Sequence, residues 1–266
     1  MAEHASVVAD LIAEGDRFDG LLTEPAAAGW DRPTPAPGWR VRHQYAHLTS
    51  VFRLGRLATT APDRFLETVT RLGPDFDTVI DKMLAEFVDE PPETLLQRWR
   101  AERSRSQQAL ADAAPGLLVP WLARPMPVAM LASAALMELF AHGQDLADGL
   151  GLRRVHTDRL RHVAAFAMTN HDYGYAVRGL TPPGVPFRFE LTMPSGAVWT
   201  YGPADAAQRV SGPMVDFCLL VTRRRHRDDL ALTATGVEAD RWMSIAQAYR
   251  GGTGAGRQPG QFAAIG

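Results

Sequence analysis

Cysteine is nearly absent. Cys218 is the single one in 266 residues, so no internal disulfide can form. No apolar run reaches the roughly 18–20 residues that a bilayer-spanning helix needs. The first 25 residues carry acidic and polar groups throughout, unlike a signal peptide. The expectation is a cytoplasmic protein with no membrane partner. Excess charge is missing too: the formal net charge is −2, which gives no electrostatic case for binding nucleic acid. Several signatures of catalysis are also lacking, namely a Gly-x-Ser-x-Gly elbow, a glycine-rich phosphate loop and a Cys-x-x-Cys pair. Lysine is scarce beside arginine, and with the wealth of Ala, Gly and Pro this fits a high-GC coding sequence.

What remains is an ordinary globular composition, 46% hydrophobic and 22% charged. The length suits one large domain or two modest ones. The first half reads as helical. Residues 5–22 carry Val8, Leu11, Ile12 and Phe18 at helical spacing. A proline-rich turn lies between Trp30 and Trp39, and a second helix runs over about 40–59. A third, over 76–87, places Phe76, Val79, Ile80, Met83 and Phe87 in register. Pro91 and Pro92 mark a fresh start, and the helix to about 113 presents Leu95, Leu96, Trp99 and Leu110. Residues 128–150 form a long apolar helix closed by Gly149 and Gly151. The pattern predicts an antiparallel four-helix bundle with one extra helix.

The second half changes character. Residues 157–178 are helical, 187–193 alternate as a strand, Pro194-Ser195-Gly196 turns, and 197–201 return as a hairpin. A buried helix over 214–222, a strand within 230–235 and a helix over 237–249 follow, and the glycine-rich stretch 251–260 is expected to be a mobile tail. The fold class is therefore α+β, with a helical bundle over 1–152 and a smaller α+β domain over 153–266.

The chemistry concentrates on the apolar helix. Glu138 and His142 are four residues apart and share a face with Leu131, Ala135 and Asp145. A buried, unpaired carboxylate costs several kcal/mol, so Glu138 needs a partner. His47 lies in line with Val51 and Leu54 on the second helix and also faces inward. Two imidazoles and one carboxylate suit Zn²⁺, Ni²⁺, Co²⁺ or Fe²⁺, and three protein ligands leave coordination positions open, as catalytic sites do. A surface pair or a core hydrogen bond explains the Glu138–His142 spacing as readily. His43 is either a fourth ligand, a rim residue or a hydrogen-bond partner of the ligands. Asp145 either accepts the far ring N–H of a ligand histidine or is a solvated acid at the helix end. Trp30 and Trp39 staple the proline-rich loop to the bundle. His171-Asp172-Tyr173 is a polar group within a helical pattern, a cleft or interface candidate. Cys218, inside the apolar run 214–221, reads as a buried structural thiol.

The string Thr34 to Leu48, TPAPGWRVRHQYAHL, resembles the opening of the mycothiol-dependent maleylpyruvate isomerase group of the DinB-like superfamily. The resemblance assigns the His of Ala-His-Leu, here His47, and the later Glu-x-x-x-His, here Glu138 and His142, as metal ligands. The second half, through GPMVDFCLLVTRRRHRDD, is similar to the C-terminal extension of an actinobacterial metal-binding subfamily and in outline to a sterol-carrier-like domain. The resemblance to the isomerase group implies a divalent metal, zinc first, and mycothiol as cosubstrate. The thiolate would add to a small electrophilic substrate, giving isomerisation, thiol transfer or loss of a leaving group. A second-domain arginine would grip the thiol or substrate, and Arg223 and Arg225 in the basic run 223–227 are the residues in place, although such a run is by default a solvated face. The implied assembly is a monomer or homodimer. Two alternatives stand beside the thiol enzyme: a thiol-independent Lewis-acid isomerase, cyclase or lyase of secondary metabolism, and a non-catalytic metal- or ligand-binding module.

Overall fold

In the computed structural model, residues 2–21, 27–73, 75–122 and 124–262 are described, without the side chains of Ala2, Ala27, Ala28 and Phe76. Proline punctuates the first half. Pro62 opens α4 (Pro62–Leu72), Pro92 opens α6 (Pro92–Asp112) and Pro127 precedes α7 (Val128–Leu150). A first-turn proline loses no helical hydrogen bond, and its fixed φ already suits the helix. The other helices of this half are α1 (Ala2–Asp19), α2 (Ala27–Trp30), α3 (Val41–Thr60) and α5 (Phe76–Ala85), and a ribbon of β1 (Leu118–Val119) and β2 (Met126–Pro127) leads into α7.

Helices α1, α3, α6 and α7 form the bundle. His4 Nε2 bonds Leu110 O at 2.9 Å, Gln107 Nε2 donates to Leu11 O at 3.0 Å, and Trp99 Nε1 donates to Asp19 Oδ1 at 2.7 Å. The numbers fall on one side as they rise on the other, so α1 and α6 are antiparallel. Gln44 and His47 meet His142 and Glu138 in the same reversed order, which makes α3 and α7 antiparallel. In contrast, Tyr45 and Phe52 pack on Trp99 while Gly55 faces Ser106. Helices α3 and α6 thus run the same way, because α4 and α5 carry the chain back between them.

The bundle core is aromatic. Trp30, Tyr45, Phe18, Phe52 and Trp99 are all at most 1% exposed. Phe18 sits 5.5 Å from Tyr45 and 5.3 Å from Trp99, Trp30 is 4.9 Å from Tyr45, and Phe52 meets Trp99 edge-on at 5.1 Å. Offset and edge-to-face pairs of this kind add about 0.5–1.5 kcal/mol each beyond the burial of their area.

Between α2 and α3 the chain makes a tight loop. Trp39 N donates to Ala36 O at 2.9 Å and Thr34 N to Trp39 O at 2.8 Å. Gly38 takes φ +77°, a left-handed value that favours glycine. The loop rests on the last turn of α7, where a Cβ on Gly149 would lie 2.8 Å from Pro33 O.

The chain divides into two compact units, Met1–Arg153 and Arg154–Gly266. The second holds α8 (Leu160–Thr169), α9 (Tyr173–Ala176), α10 (Met214–Val221), α11 (Val237–Ile245) and a short 3₁₀ turn, Arg227–Asp229. Its sheet contains β3 (Phe187–Thr192), β4 (Val198–Tyr201), β5 (Gln208–Pro213) and β6 (Thr233–Thr235) in the order β4-β3-β5-β6. The β3/β4 and β5/β6 pairs are antiparallel, and β3/β5 is parallel with Phe189 opposite Val210. Period-2 alternation in β3 buries Phe187, Phe189 and Leu191. Phe189 meets Phe217 of α10 at 5.7 Å and Trp242 of α11 at 5.4 Å. The stretch expected to be a mobile tail makes specific contacts within its unit: Gly251 N donates to Tyr173 Oη at 3.1 Å and Gly260 N to Asp229 Oδ1 at 2.8 Å. Among the described residues no helix is long and apolar enough to cross a membrane.

Candidate metal centre

His47 comes from the middle of α3, and Glu138 and His142 come from one face of α7. One carboxylate oxygen serves both rings. Glu138 Oε2 lies 3.1 Å from His142 Nε2 and 3.6 Å from His47 Nε2. The two imidazoles are 4.5 Å apart, and the donor atoms of all three residues fall within 4.8 Å of one another. Both histidines are under 9% exposed, while the Glu138 side chain keeps 22%. Burial pushes the Glu138 pKa up, but hydrogen bonds from His142 and His47, and their charge, outweigh it and hold the carboxyl well below the usual range. An ionised carboxylate between two imidazole nitrogens is a donor set that fits a small divalent cation.

Trp39 covers the rings. Its indole lies nearly parallel to His142, 19° and 5.9 Å away, and tilted on His47 at 5.3 Å. Trp30, by contrast, is fully buried on Tyr45 and does staple the loop to the bundle. Trp39 is therefore a wall of the site rather than a staple.

Gln44 also belongs here, and the sequence reading passed over it. His142 Nδ1 donates to Gln44 Oε1 at 2.6 Å, and Gln44 Nε2 donates to Thr34 Oγ1 at 2.9 Å. Gln44 is completely buried one turn before His47. A glutamine on the inward face so near a site histidine was the available signal. Gln44 thus accepts the far ring N–H of His142, a role of the kind that the sequence reading left open for Asp145. Asp145 itself is fully buried in α7, not a solvated acid at its end. His43 sits in the first turn of α3, where its Nδ1 accepts from Arg40 N at 3.1 Å and so caps the helix. Burial, Arg42 and Arg40 hold its imidazole towards the neutral form.

The remaining candidates lie in the second unit. Arg225 stacks its guanidinium 3.8 Å over Phe262, and Arg223 Nη1 reaches Gln247 Oε1 at 3.5 Å. Cys218 is fully buried, its Sγ 3.8 Å from Leu160 O, and burial pushes its thiol pKa up. His171 lies flat on Trp242 at 5.0 Å and bonds Asp172 Oδ1 at 2.9 Å. A cavity of about 690 Å³ opens between α3, α4 and α5, lined by Arg53, Arg56, Arg64 and Arg71 among others, and none of His47, Glu138 or His142 lines it.

Comparison with known proteins gives the chain its relatives. Residues 11–147 match the family model described as the mycothiol maleylpyruvate isomerase N-terminal domain. Residues 183–235 match one described as wyosine base formation. An uncharacterized protein of Mycobacterium tuberculosis, found in two strains, is 43% identical over 257 residues, which is 97% of this chain and 100% of the relative. The crystal structure of mycothiol-dependent maleylpyruvate isomerase superposes with a TM-score of 0.55 at 15% identity, covering 87% of this chain and 92% of that one. A histidine-to-alanine mutant of that enzyme gives the same score at 16% identity. At such identity the likeness shows a shared fold.

Proposed function

The chain belongs to the mycothiol maleylpyruvate isomerase family, and from that premise we propose that it is an enzyme that holds a divalent metal ion on His47, Glu138 and His142 and uses it to activate mycothiol towards a small electrophile. The observation that carries the reading is the convergence of three ligand atoms from two helices within 4.8 Å, all inside the stretch that the family model covers. A divalent ion bound there supplies Lewis acidity, lowering the pKa of a thiol that ligates it so that a thiolate exists near neutral pH.

The chain's own residues do the rest. Glu138 stays ionised and balances the cation's charge. Three protein donors leave positions for an incoming thiol. Trp39 shields one side of the imidazoles from water, which strengthens the electrostatics inside. No side chain of the protein serves as nucleophile in this reading. Cys218 is sealed in the second unit's core, with its thiol held protonated by burial. The reacting sulfur therefore enters with the cosubstrate.

The test is turnover of a panel of small electrophiles, maleylpyruvate among them, with and without mycothiol, in the wild type and in Cys218→Ala. The expected result is turnover that requires mycothiol and survives the loss of Cys218. Turnover in the absence of any thiol would replace this reading with metal-only Lewis-acid chemistry, and dependence on Cys218 would overturn it.

A further inference from the structure

We propose that the Trp39 carbonyl, the Thr34 hydroxyl and the Gln44 side chain form a polar relay that locks the His142 hydrogen on Nδ1, leaving Nε2 as the only ring nitrogen able to ligate the cation. Gln44 is then a positioning residue of the metal centre. The inference rests on the metal reading above and deepens it.

Each step of the relay has one possible polarity. A backbone carbonyl can only accept. Thr34 Oγ1 lies 3.0 Å from Trp39 O, so the hydroxyl donates there. With its one hydrogen committed, Thr34 Oγ1 can only accept at its 2.9 Å contact with Gln44. The Gln44 group facing Thr34 is therefore the NH₂, which turns Oε1 towards His142. That carbonyl oxygen accepts at 2.6 Å, so His142 Nδ1 carries a hydrogen. The direction of the amide, usually ambiguous, is set here by a main-chain atom two hydrogen bonds away.

The consequence falls on the other nitrogen. Nε2 lies 3.1 Å from Glu138 Oε2, and with the ring hydrogen held on Nδ1 it is Nε2 that exchanges its proton for an incoming cation. Two acceptors that close repel unless a positive species lies between them, and a proton or a metal ion satisfies both. The alternative tautomer would keep its only hydrogen on Nε2, in the space of the ion, and exclude it. The relay is buried where it matters, with Gln44 fully inaccessible. It starts in the proline-rich loop that also supplies Trp39. The loop thus sets both a wall of the site and the tautomer of a ligand. Outer partners of this type contribute about 10–100-fold in metal affinity.

Two readouts test it on the full-length chain. Long-range ¹H–¹⁵N spectra of the metal-free protein report which imidazole nitrogen bears hydrogen. Zinc affinity is measured by chelator competition. In the wild type His142 is expected to show a hydrogen on Nδ1, whatever the state of Nε2. In Gln44→Leu the neutral ring shifts towards the Nε2–H form, and zinc binds about 10–100-fold more weakly. Gln44→Glu still accepts from Nδ1 and keeps zinc affinity near the wild-type value. Thr34→Val frees the amide to turn, and its affinity falls between the two, which also serves if Gln44→Leu does not fold. A bare Nδ1 in the wild type, or unchanged zinc affinity in both Gln44→Leu and Thr34→Val, overturns the relay. Failure of the wild type to bind zinc would instead defeat the metal reading, while the imidazole spectra would still decide the relay.

Discussion

A carboxylate shared by two imidazoles, as Glu138 is by His47 and His142, can be stabilised by protons or by a cation, and the donor geometry is compatible with both. The proposed cation draws its support from the neighbours of the rings: Gln44 claims the Nδ1 hydrogen of His142, and Trp39 lies on one side of the two imidazoles. His171 has a different role. It is stacked on Trp242, and burial lowers its pKa below the free value of 6.5 while the Asp172 carboxylate partly opposes the shift. Because the folded pKa is the lower one, the unfolded chain binds more protons in the window just below the free value. Stability from this group is thus complete above about pH 6.5 and is lost as the pH falls through that value towards the folded pKa. Thermal unfolding followed against pH should show this, with a slope no steeper than one proton, about 1.4 kcal/mol per pH unit. His171→Phe keeps a ring on Trp242 and should flatten that part of the profile. A profile unchanged by the substitution would contradict the assignment. His47, Glu138 and His142 were legible because a charged or polar residue on an apolar helical stripe stands out. Gln44 was passed over because a neutral amide carries no such contrast, and that Asp145 is buried rather than solvated shows only in the fold, which covers the end of α7.

Helix boundaries were readable where proline or glycine set them, and α7 (Val128–Leu150) is the clearest case. Helix α4 was missed because its buried content within the chain is a single residue, Phe65, with Leu66 52% exposed. Strand β5 was missed for a similar reason: only Val210 is buried, the strand ends in Gly212-Pro213, and its identity as a strand comes from parallel pairing with β3, a tertiary fact. The contact between α7 and the proline-rich loop was equally invisible, and it yields a sharp prediction. Replacing glycine by alanine within a helix ordinarily stabilises by about 0.5–1 kcal/mol. At Gly149 the new Cβ would meet Pro33 O at 2.8 Å, a backbone atom that must move. Gly149→Ala should therefore lower the melting temperature rather than raise it. It should also weaken metal binding, since the displaced loop carries Thr34 and Trp39. A variant that melts higher and binds metal unchanged would show that the loop does not set the site.

At the scale of the whole molecule, the proposed centre draws all three of its protein donors from the first unit, the one that the family model covers. The second unit has its own core around Phe189, Phe217 and Trp242, and its arginines at 223 and 225 pack against Gln247 and Phe262 of that same unit. The mixed helical and sheet class was legible from the change of period between the two halves. The parallel run of α3 and α6 was not, because the return of the chain between them shows only in the packing of the folded bundle. The proposed function requires that this chain bind a metal through Glu138 and its two histidines. Elemental analysis of the untagged full-length protein, wild type beside Glu138→Ala, tests that claim most directly. The expected result is about one divalent ion per chain in the wild type, lost in a variant that still folds. Equal metal in both proteins, or none in either after reconstitution, would contradict it.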